Sequence, residues 1–280
     1  CALPISETGR LRRSLIGTNI YEGKMKTIKL LFIIIFTSFI GSAFAEQTDD
    51  PNRFQVETTM MKLNSGKDLQ DLFAIRDKFS DFANSGEIQF SSRILVPWAV
   101  SKAALPDNQD FDAVWVGFAP NTAAYSATLG YYLEHGDMIN ADFDAVRTNG
   151  ARTLMGGEVI FRSGESYAED VGAVLFRTCE LNAKQTMNNA KKAMVAMSEK
   201  LKAGGSKGST YFWNPGPGSA PSQAGSFLVT RWFPSVEAWG ESSMAYQNGD
   251  ISKEEAAVNR AMTCSAFRMY LNYPFYRRAR

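Results

Sequence analysis

Apolar residues recur at helical spacing in two separate stretches of the chain. The first stretch contains Leu69, Leu72, Phe73, Phe79 and Phe82, and the second contains Met187, Met194, Met197 and Leu201. Apolar positions that are three or four residues apart, or a multiple of this, lie on one face of a helix. Both stretches are therefore predicted to be helices with one buried face. Since methionine packs irregular gaps well, the methionine stripe indicates core packing rather than a metal or thioether site.

Strand-like segments surround these helices, and they recur in the same order later in the chain. Five aligned pairs mark this order: Val56–Asn64 with Val174–Asn182, Pro97 with Pro215, Pro120 with Pro234, Gly136 with Gly249, and Gly157–Phe161 with Ala266–Tyr270. The offset between partners falls from 118 to 109 along the chain. A further helix is predicted after the third pair, over residues 122–134 and 236–247. Because the order of the pairs is kept, the chain is interpreted as an internal duplication.

The predicted elements of each half follow the order β-α-β-β-α-β, which is the ferredoxin-like arrangement. In this order the chain resembles the dimeric α/β-barrel superfamily in its fused, tandem form. The resemblance implies an α+β fold of two ferredoxin-like units, residues 46–165 and 166–280, packed sheet to sheet as a pseudo-dimeric α/β barrel. Each sheet has one face that its own helices leave apolar, and the other unit would cover it. Residues 138–155 depart from the pattern, with extra polar positions and an additional helix expected.

The N-terminal residues have the features of a secretory signal. Residues 25–45 begin with Met25 and a short basic stretch, continue with an apolar run over 30–40, and end in Ala-Phe-Ala. This pattern predicts a signal peptide cleaved after Ala45, and so a periplasmic or secreted protein. A membrane anchor is the alternative, but the apolar run is shorter than the roughly 20 residues that a spanning helix needs. Residues 1–24 are interpreted as an over-extended reading frame, with a genuine basic extension as the alternative.

The net charge of the predicted mature chain, which lacks residues 1–45, argues against nucleic acid as a partner. Residues 1–45 hold six of the 30 basic residues and two of the 29 acidic residues, so the mature chain would carry a net charge of −3. Nucleic-acid-binding domains are usually clearly basic. No integral membrane segment is predicted in the mature chain, and its oligomeric state stays open.

Two cysteines, Cys179 and Cys264, remain in the mature chain. The first lies late in the opening strand of the second half, and the other lies at or just before its closing strand. These strands are neighbours in a ferredoxin-like sheet, so a disulfide is predicted, in agreement with export. Two buried free thiols and a nucleophilic cysteine are the alternatives.

His135 is the only histidine of the chain. It ends a predicted helix, where a cationic ring would interact favourably with the helix dipole, so a surface or capping role is expected. Some families of the superfamily bind haem through a histidine, and haem binding through His135 is kept as an alternative. A metal site is not predicted, because a lone histidine gives no ligand cluster.

Aromatic residues on the middle strands suggest either a packed core or a ligand pocket with a polar tip. The candidate ligand-binding residues are Arg93, Trp115, Arg177, Tyr211, Trp213, Arg231 and Trp232. An arginine among aromatic rings would suit a carboxylate or phenolate ligand. No pair of carboxylates has a spacing that indicates a catalytic dyad, and no catalytic residue is predicted.

Three functions agree with these features. The first is an exported or stress-related protein that binds a small apolar or aromatic molecule without a cofactor. The second, implied by the resemblance, is a cofactor-free monooxygenase-like or isomerase-like enzyme of the dimeric α/β-barrel type. The third is haem binding through His135.

Overall fold

A computed structural model describes residues 50–101, 110–165 and 171–278. The predicted signal peptide and the segment before it lie outside these residues, and the predicted boundary after residue 165 lies between the fourth and fifth strands. The strands are β1 (Arg53–Leu63), β2 (Ser91–Ala99), β3 (Ala113–Ala119), β4 (Arg147–Phe161), β5 (Gly172–Leu181), β6 (Ser209–Pro215), β7 (Ser226–Phe233), β8 (Met262–Cys264) and β9 (Arg268–Arg277). The helices are α1 (Leu69–Phe73), α2 (Arg76–Ser85), α3 (Thr122–His135), α4 (Asp137–Val146), α5 (Met187–Ala203), α6 (Val236–Asn248) and α7 (Ser252–Ala261).

The strands form one closed antiparallel barrel. The order around it is β7-β6-β4-β1-β3-β2-β9-β5, and pairing between β7 and β5 closes the ring, while the short β8 pairs with the end of β5. Each half contributes a ferredoxin-like four-stranded sheet. The halves are joined edge to edge through the β2–β9 and β4–β6 pairs as well as packed face to face. The predicted fold, two tandem ferredoxin-like units in a pseudo-dimeric α/β barrel, is confirmed.

The duplication reaches the level of single hydrogen bonds. The backbone N–H of Asn64, just after β1, donates to the carbonyl of Val146 at 2.9 Å, and that of Asn182, just after β5, donates to the carbonyl of Ala261 at 3.1 Å. Two residues beyond each acceptor, a threonine hydroxyl donates to the side-chain oxygen of the same asparagine. Both asparagines therefore tie the end of the first strand of a half to the start of its last.

One of the five aligned pairs is wrong. Met155 of β4 lies opposite Val56, and Tyr270 of β9 lies opposite Val174, so Met155 and Tyr270 are the equivalent residues, with an offset of 115. The predicted offset of 109 shifted the last strand by six residues. The break between β8 and β9 is not the cause, because the offset is 115 both before it, at Val146 and Ala261, and after it. The physical reason is that a shift by an even number of residues keeps the alternation of the two strand faces, so the pattern alone does not fix the position along the strand.

The helices differ from the prediction in two places. The first predicted helix is divided into α1 and α2, and its cap is Asp68, whose carboxylate accepts from the backbone N–H groups of Gln70 and Asp71. The additional helix expected in residues 138–155 is α4. It has a counterpart, α7, in the second half, so it belongs to the repeat and is not an insertion in the first half.

The apolar core has three parts. One layer lies between the sheet and the helices of each half, and the third part fills the inside of the barrel. Cys179 and Cys264 lie opposite each other on β5 and β8 and form the predicted disulfide. Within the described ranges, none of the helices combines the length and the apolar character needed to cross a membrane.

Candidate functional site

The inside of the barrel has a packed end and an open end. Six rings fill the packed end, with neighbouring ring centroids between 5.3 and 6.4 Å apart. We call these rings the aromatic plug: Phe54, Phe118, Phe176, Tyr211, Trp213 and Trp232. Beyond the plug lies a cavity of about 410 Å³, which we call the barrel cavity. Phe176 and Trp213 belong to the plug and also line the barrel cavity.

The barrel cavity exists because inward-facing residues become smaller along the same strands. On β3, Phe118 contributes to the plug, whereas Val116 and Val114 line the barrel cavity. On β7, Trp232 lies in the plug and Leu228 lines the barrel cavity. Since successive inward residues are two positions apart, the taper on β3 and β7 is a property of the inward-facing side chains of these two strands.

Arg268 is the only charged residue among the described residues that line the barrel cavity. It is 5% exposed, and its Nη2 donates to the hydroxyl of Thr178, across the β5–β9 pair, at 3.0 Å. Burial lowers the pKa of the guanidinium, but arginine remains protonated in proteins. Arg268 was not among the predicted ligand-binding residues. The six-residue error in the last strand leaves Arg268 on the same face, but it displaces the residue along the strand and matches it with Val159 instead of Thr153.

Trp213 contributes a polar atom to the same region. Its side chain is 1% exposed, and within the described parts of the chain its indole N–H has no hydrogen-bond partner. The indole N–H of Trp232, by contrast, donates to the hydroxyl of Thr230 at 3.0 Å. Buried donors are usually satisfied, so this indole N–H is an unmet hydrogen bond among the described residues, and it has almost no accessible surface of its own.

The connection between β6 and β7 lines the open end of the barrel cavity, and we call residues 216–225 the roof. The carbonyl of Pro217 accepts from the backbone of Leu154 at 2.9 Å, and the carbonyl of Gly218 accepts from the hydroxyl of Thr153 at 3.1 Å. Gly218 has φ +82°, and a Cβ placed there would lie 2.2 Å from the carbonyl oxygen of Arg152. The roof is thus held against β4 by contacts that only glycine permits.

A second, smaller cavity of about 70 Å³ lies between the sheet and the helices of the first half, and we call it the helix-side cavity. Its apolar wall includes Phe79, Phe90 and Trp115. Its polar wall includes Glu57, whose Oε1 lies 3.1 Å from Nε of the half-exposed Arg152. The ion pair is therefore only partly shielded from solvent.

Burial shifts the pKa values of two further groups that line the helix-side cavity, the phenol of Tyr125 and the guanidinium of Arg147. Burial raises the pKa of Tyr125 to about 12, with a further contribution from the charge of Glu57. Arg147 is 7% exposed, its guanidinium lies 4.6 Å from the centre of the Phe143 ring, and burial lowers its pKa. Tyr125 is therefore a neutral phenol that can donate a proton to a hydrogen bond at neutral pH.

The structure does not bring the seven candidate ligand-binding residues together. Arg93, Tyr211 and Trp232 lie inside the barrel at its packed end, with Nη1 of Arg93 3.4 Å from the side-chain oxygen of Asn272. Trp213 alone lines the barrel cavity, and Trp115 alone lines the helix-side cavity.

The remaining two candidates, Arg177 and Arg231, point toward the helices of the second half and line neither of the two cavities. Nε of Arg177 donates to the carbonyl of Ser265 at 2.9 Å, and Nη2 of Arg231 donates to the hydroxyl of Ser206 at 3.2 Å. Burial lowers the pKa of Arg231 to about 10. Their positions follow from strand alternation, since the adjacent Phe176 and Trp232 point inward.

His135 ends α3, and its half-exposed ring lies 4.7 Å from the ring of Tyr131, between centroids. It lines neither cavity, so the geometry gives no support to haem binding through this residue. In the part of the chain that the structure describes, no group of three or more histidine, cysteine or acidic residues could hold a metal ion.

Comparisons with known proteins give only distant structural similarities. No family model matches the chain. No curated protein matches it. A Fusobacterium nucleatum protein provisionally named a monooxygenase is 7% identical, with a TM-score of 0.49 over 81% of this chain and 94% of that one.

Two further solved structures are similar at the same level. A Lactobacillus acidophilus protein with the same provisional name is 8% identical, with a TM-score of 0.47 over 80% of this chain and 95% of that one. A dye-decolorizing peroxidase of Bacteroides thetaiotaomicron is 10% identical, with a TM-score of 0.45 over 79% and 93%. The fold assignment rests on the strand order and pairing of this chain itself.

Proposed function

We propose that the protein binds a small apolar or aromatic molecule inside the barrel. The observation that carries this proposal is the barrel cavity of about 410 Å³, which lies between the two sheets where a fully packed core would leave no space. Ligand pockets usually have volumes of about 300–1,000 Å³, apolar walls and a few polar groups. The barrel cavity has these properties, whereas the helix-side cavity, at about 70 Å³, is smaller than this range.

Water is a poor occupant for a cavity of this kind. At about 30 Å³ for each molecule, the volume would correspond to roughly a dozen waters. A buried water normally makes two to four hydrogen bonds, and apolar side chains, including valine, leucine, methionine and aromatic residues, form most of the wall. An apolar ligand would replace this poorly bonded water, which favours binding.

Export to the periplasm or the exterior is part of the proposal. The disulfide between Cys179 and Cys264 supports it, because thiols of cytosolic proteins are normally kept reduced. Mass spectrometry of the protein from its native host tests this: a mature chain that starts at Glu46 is expected, and a chain that retains residues 25–45 would contradict it.

The binding proposal is tested by calorimetric titration with 2-naphthoate, using one blocking variant for each cavity. Val116→Phe places a ring in the barrel cavity, and Leu129→Phe adds bulk to the helix-side cavity. We expect one ligand to bind per chain, binding to be lost in Val116→Phe, and binding to persist in Leu129→Phe. Loss in Leu129→Phe alone, or no binding by the unmodified protein, would overturn the proposal.

A second candidate function is catalysis of the cofactor-free monooxygenase-like or isomerase-like type, at the helix-side cavity. The observation that favours it is the pairing of Glu57, a partly shielded carboxylate, with Tyr125, a phenol whose pKa is raised to about 12. Such a pair can hold and transfer a proton beside an aromatic wall. If this proposal is correct, Glu57→Gln abolishes turnover of a substrate of only a few heavy atoms, the size that a cavity of about 70 Å³ admits, and Arg268→Met does not.

A further inference from the structure

We propose that the helix-side cavity binds a small carboxylate of a few heavy atoms, such as acetate, through the guanidinium of Arg147. The inference goes beyond the proposed function, because it assigns a ligand class to a different cavity, and it stands whether or not that cavity is catalytic. The volume of about 70 Å³ sets the size of the ligand. At about 30 Å³ for each water molecule, this volume corresponds to roughly two waters, which leaves room for a molecule of that size.

The guanidinium of Arg147 is buried but only partly hydrogen-bonded. Arg147 is 7% exposed, and its Nη1 donates to the side-chain oxygen of Asn149. Within the described ranges, Nε and Nη2 have no acceptor, and Nη2, unlike Nε, keeps accessible surface. Since buried donors are usually satisfied, Nη2 is the atom of Arg147 that can bind a ligand in the cavity that this residue lines.

The charge of Arg147 is not matched by an adjacent carboxylate. The described lining of the helix-side cavity contains two arginines, Arg147 and Arg152, and one acidic residue, Glu57. Glu57 forms its ion pair with Arg152, at 3.1 Å, and no carboxylate in the described part of the chain forms an ion pair with Arg147. Glu57 and the exposed Asp144 act on Arg147 only at longer range. The lining therefore carries one positive charge in excess, which favours an anion.

The second half of the duplication shows that the fold does not need an arginine at this place. Arg147 lies opposite Leu63 on β1, and Met262 lies opposite Leu181 on β5, so Arg147 and Met262 are equivalent residues. Met262 is 1% exposed and belongs to the apolar core between the sheet and the helices. A buried cation without a paired anion costs free energy, whereas an apolar side chain does not. The arginine of the first half therefore indicates a binding role and not a packing role.

The surroundings of Arg147 fit a carboxylate that has a short apolar end. The guanidinium lies 4.6 Å from the centre of the Phe143 ring, which supports its plane. Its N–H donors have a fixed planar arrangement that suits a carboxylate, and a charge-assisted hydrogen bond is stronger in apolar surroundings than in water. Ile88 and Leu129 line the same cavity and offer apolar contacts to the methyl group of acetate.

The test compares acetate with acetamide, a neutral molecule of the same shape, at equal ionic strength. Methyl resonances of Ile88 and Leu129 report the occupancy of the helix-side cavity, and those of Val116 report the barrel cavity. We expect saturable shifts at Ile88 and Leu129, with acetate bound roughly 10- to 100-fold more tightly than acetamide, the range that a hydrogen bond to a charged group gives. Equal affinities, shifts at Val116 alone, or no saturable binding of acetate would overturn the inference. None of these results decides whether 2-naphthoate binds in the barrel cavity.

Variants assign the binding to Arg147. Arg147→Met introduces the residue type that the second half has at the equivalent position, so we expect it to fold with an equal or higher melting temperature and to lose the acetate-induced shifts. Arg177→Met is the matched control, since Arg177 is a partly buried arginine that also points toward helices but lines neither cavity, and it should leave the acetate affinity unchanged. Acetate binding that survives in Arg147→Met would contradict the role of Arg147.

A more conservative variant covers the case in which Arg147→Met does not fold. Arg147→Lys keeps the positive charge and removes the planar set of donors. It is expected to bind acetate severalfold more weakly than the unmodified protein but still to prefer acetate to acetamide. Loss of this preference in a folded Arg147→Lys would contradict the assignment of the selection to the charge at position 147.

Discussion

The two ends of the barrel interior are built on the same strands but are filled differently. At the packed end, the six rings of the aromatic plug meet in five edge-to-face pairs and two tilted pairs and leave little space. At the open end, valine, threonine and leucine occupy inward positions on the same strands, and the barrel cavity remains. The difference indicates that one end stabilises the fold while the other end is free to hold a ligand.

The largest expected loss of stability comes from removing a ring at the packed end. Trp232 is 3% exposed, and its ring centroid lies 5.7 Å from that of Phe118 and 6.0 Å from that of Trp213. Removing a buried aromatic ring leaves a cavity and typically costs about 3–5 kcal/mol, so Trp232→Ala should lower the free energy of unfolding in urea by this amount. Leu228→Ala, in the wall of the barrel cavity, should cost less than about 2 kcal/mol because fewer contacts are lost. Equal losses would remove the distinction between the two ends.

Two matched substitutions, one at each end of the barrel interior, replace a buried valine with the larger phenylalanine. Val174 and Val116 are both fully buried and point inward, but only Val116 lines the barrel cavity. Overpacking a dense core costs about 1–3 kcal/mol, so Val174→Phe should destabilise the protein by this amount. Val116→Phe should cost less than about 1 kcal/mol, because existing space accepts the ring. If thermal and urea unfolding gave the same loss for both, the barrel cavity would not be available space.

The smallest expected loss of stability among these comparisons comes from glycine-to-alanine substitutions in the roof. Gly218→Ala combines an unfavourable positive φ with a close approach of Cβ to the carbonyl of Arg152, whereas Gly225→Ala has a similar φ, +79°, and no atom within 4 Å. Each should lose about 1 kcal/mol of unfolding free energy from the backbone conformation, and Gly218→Ala should lose more than Gly225→Ala because a backbone oxygen must move away from its Cβ. Only Gly218→Ala should also displace the roof and speed dissociation of 2-naphthoate, which stopped-flow fluorescence measures. Identical dissociation rates in the two variants would contradict a role for the roof.

The fold could be predicted from the sequence because its signals are local or repeated. The helical spacing of Leu69 to Phe82, the Leu-Asn pairs that end β1 and β5, and the two cysteines each depend on nearby residues or on the duplication. The one wrong alignment came at β9, which was shifted by six residues. An even shift keeps the alternation of inward and outward residues, so the periodic signal does not reveal it.

The site could be predicted only in part, because it depends on which face of a strand points into the barrel. Trp213, one of the predicted pocket residues, lines the barrel cavity, whereas Trp115, on an equally aromatic strand, points toward the helices. Arg177 and Arg231 are likewise outward, while Arg268 is inward. The inward direction is fixed by strand register across both halves, which one sequence does not reveal.

The most direct test of the central claim locates the ligand. Nuclear Overhauser effects between bound 2-naphthoate and assigned methyl groups report which side chains surround it. We expect contacts with Leu95, Val114 and Val116, which line the barrel cavity, and none with Val174, at the packed end, or Leu129, at the helix-side cavity. Contacts with Leu129 in place of Val116 would contradict the assignment of the ligand site to the open end of the barrel.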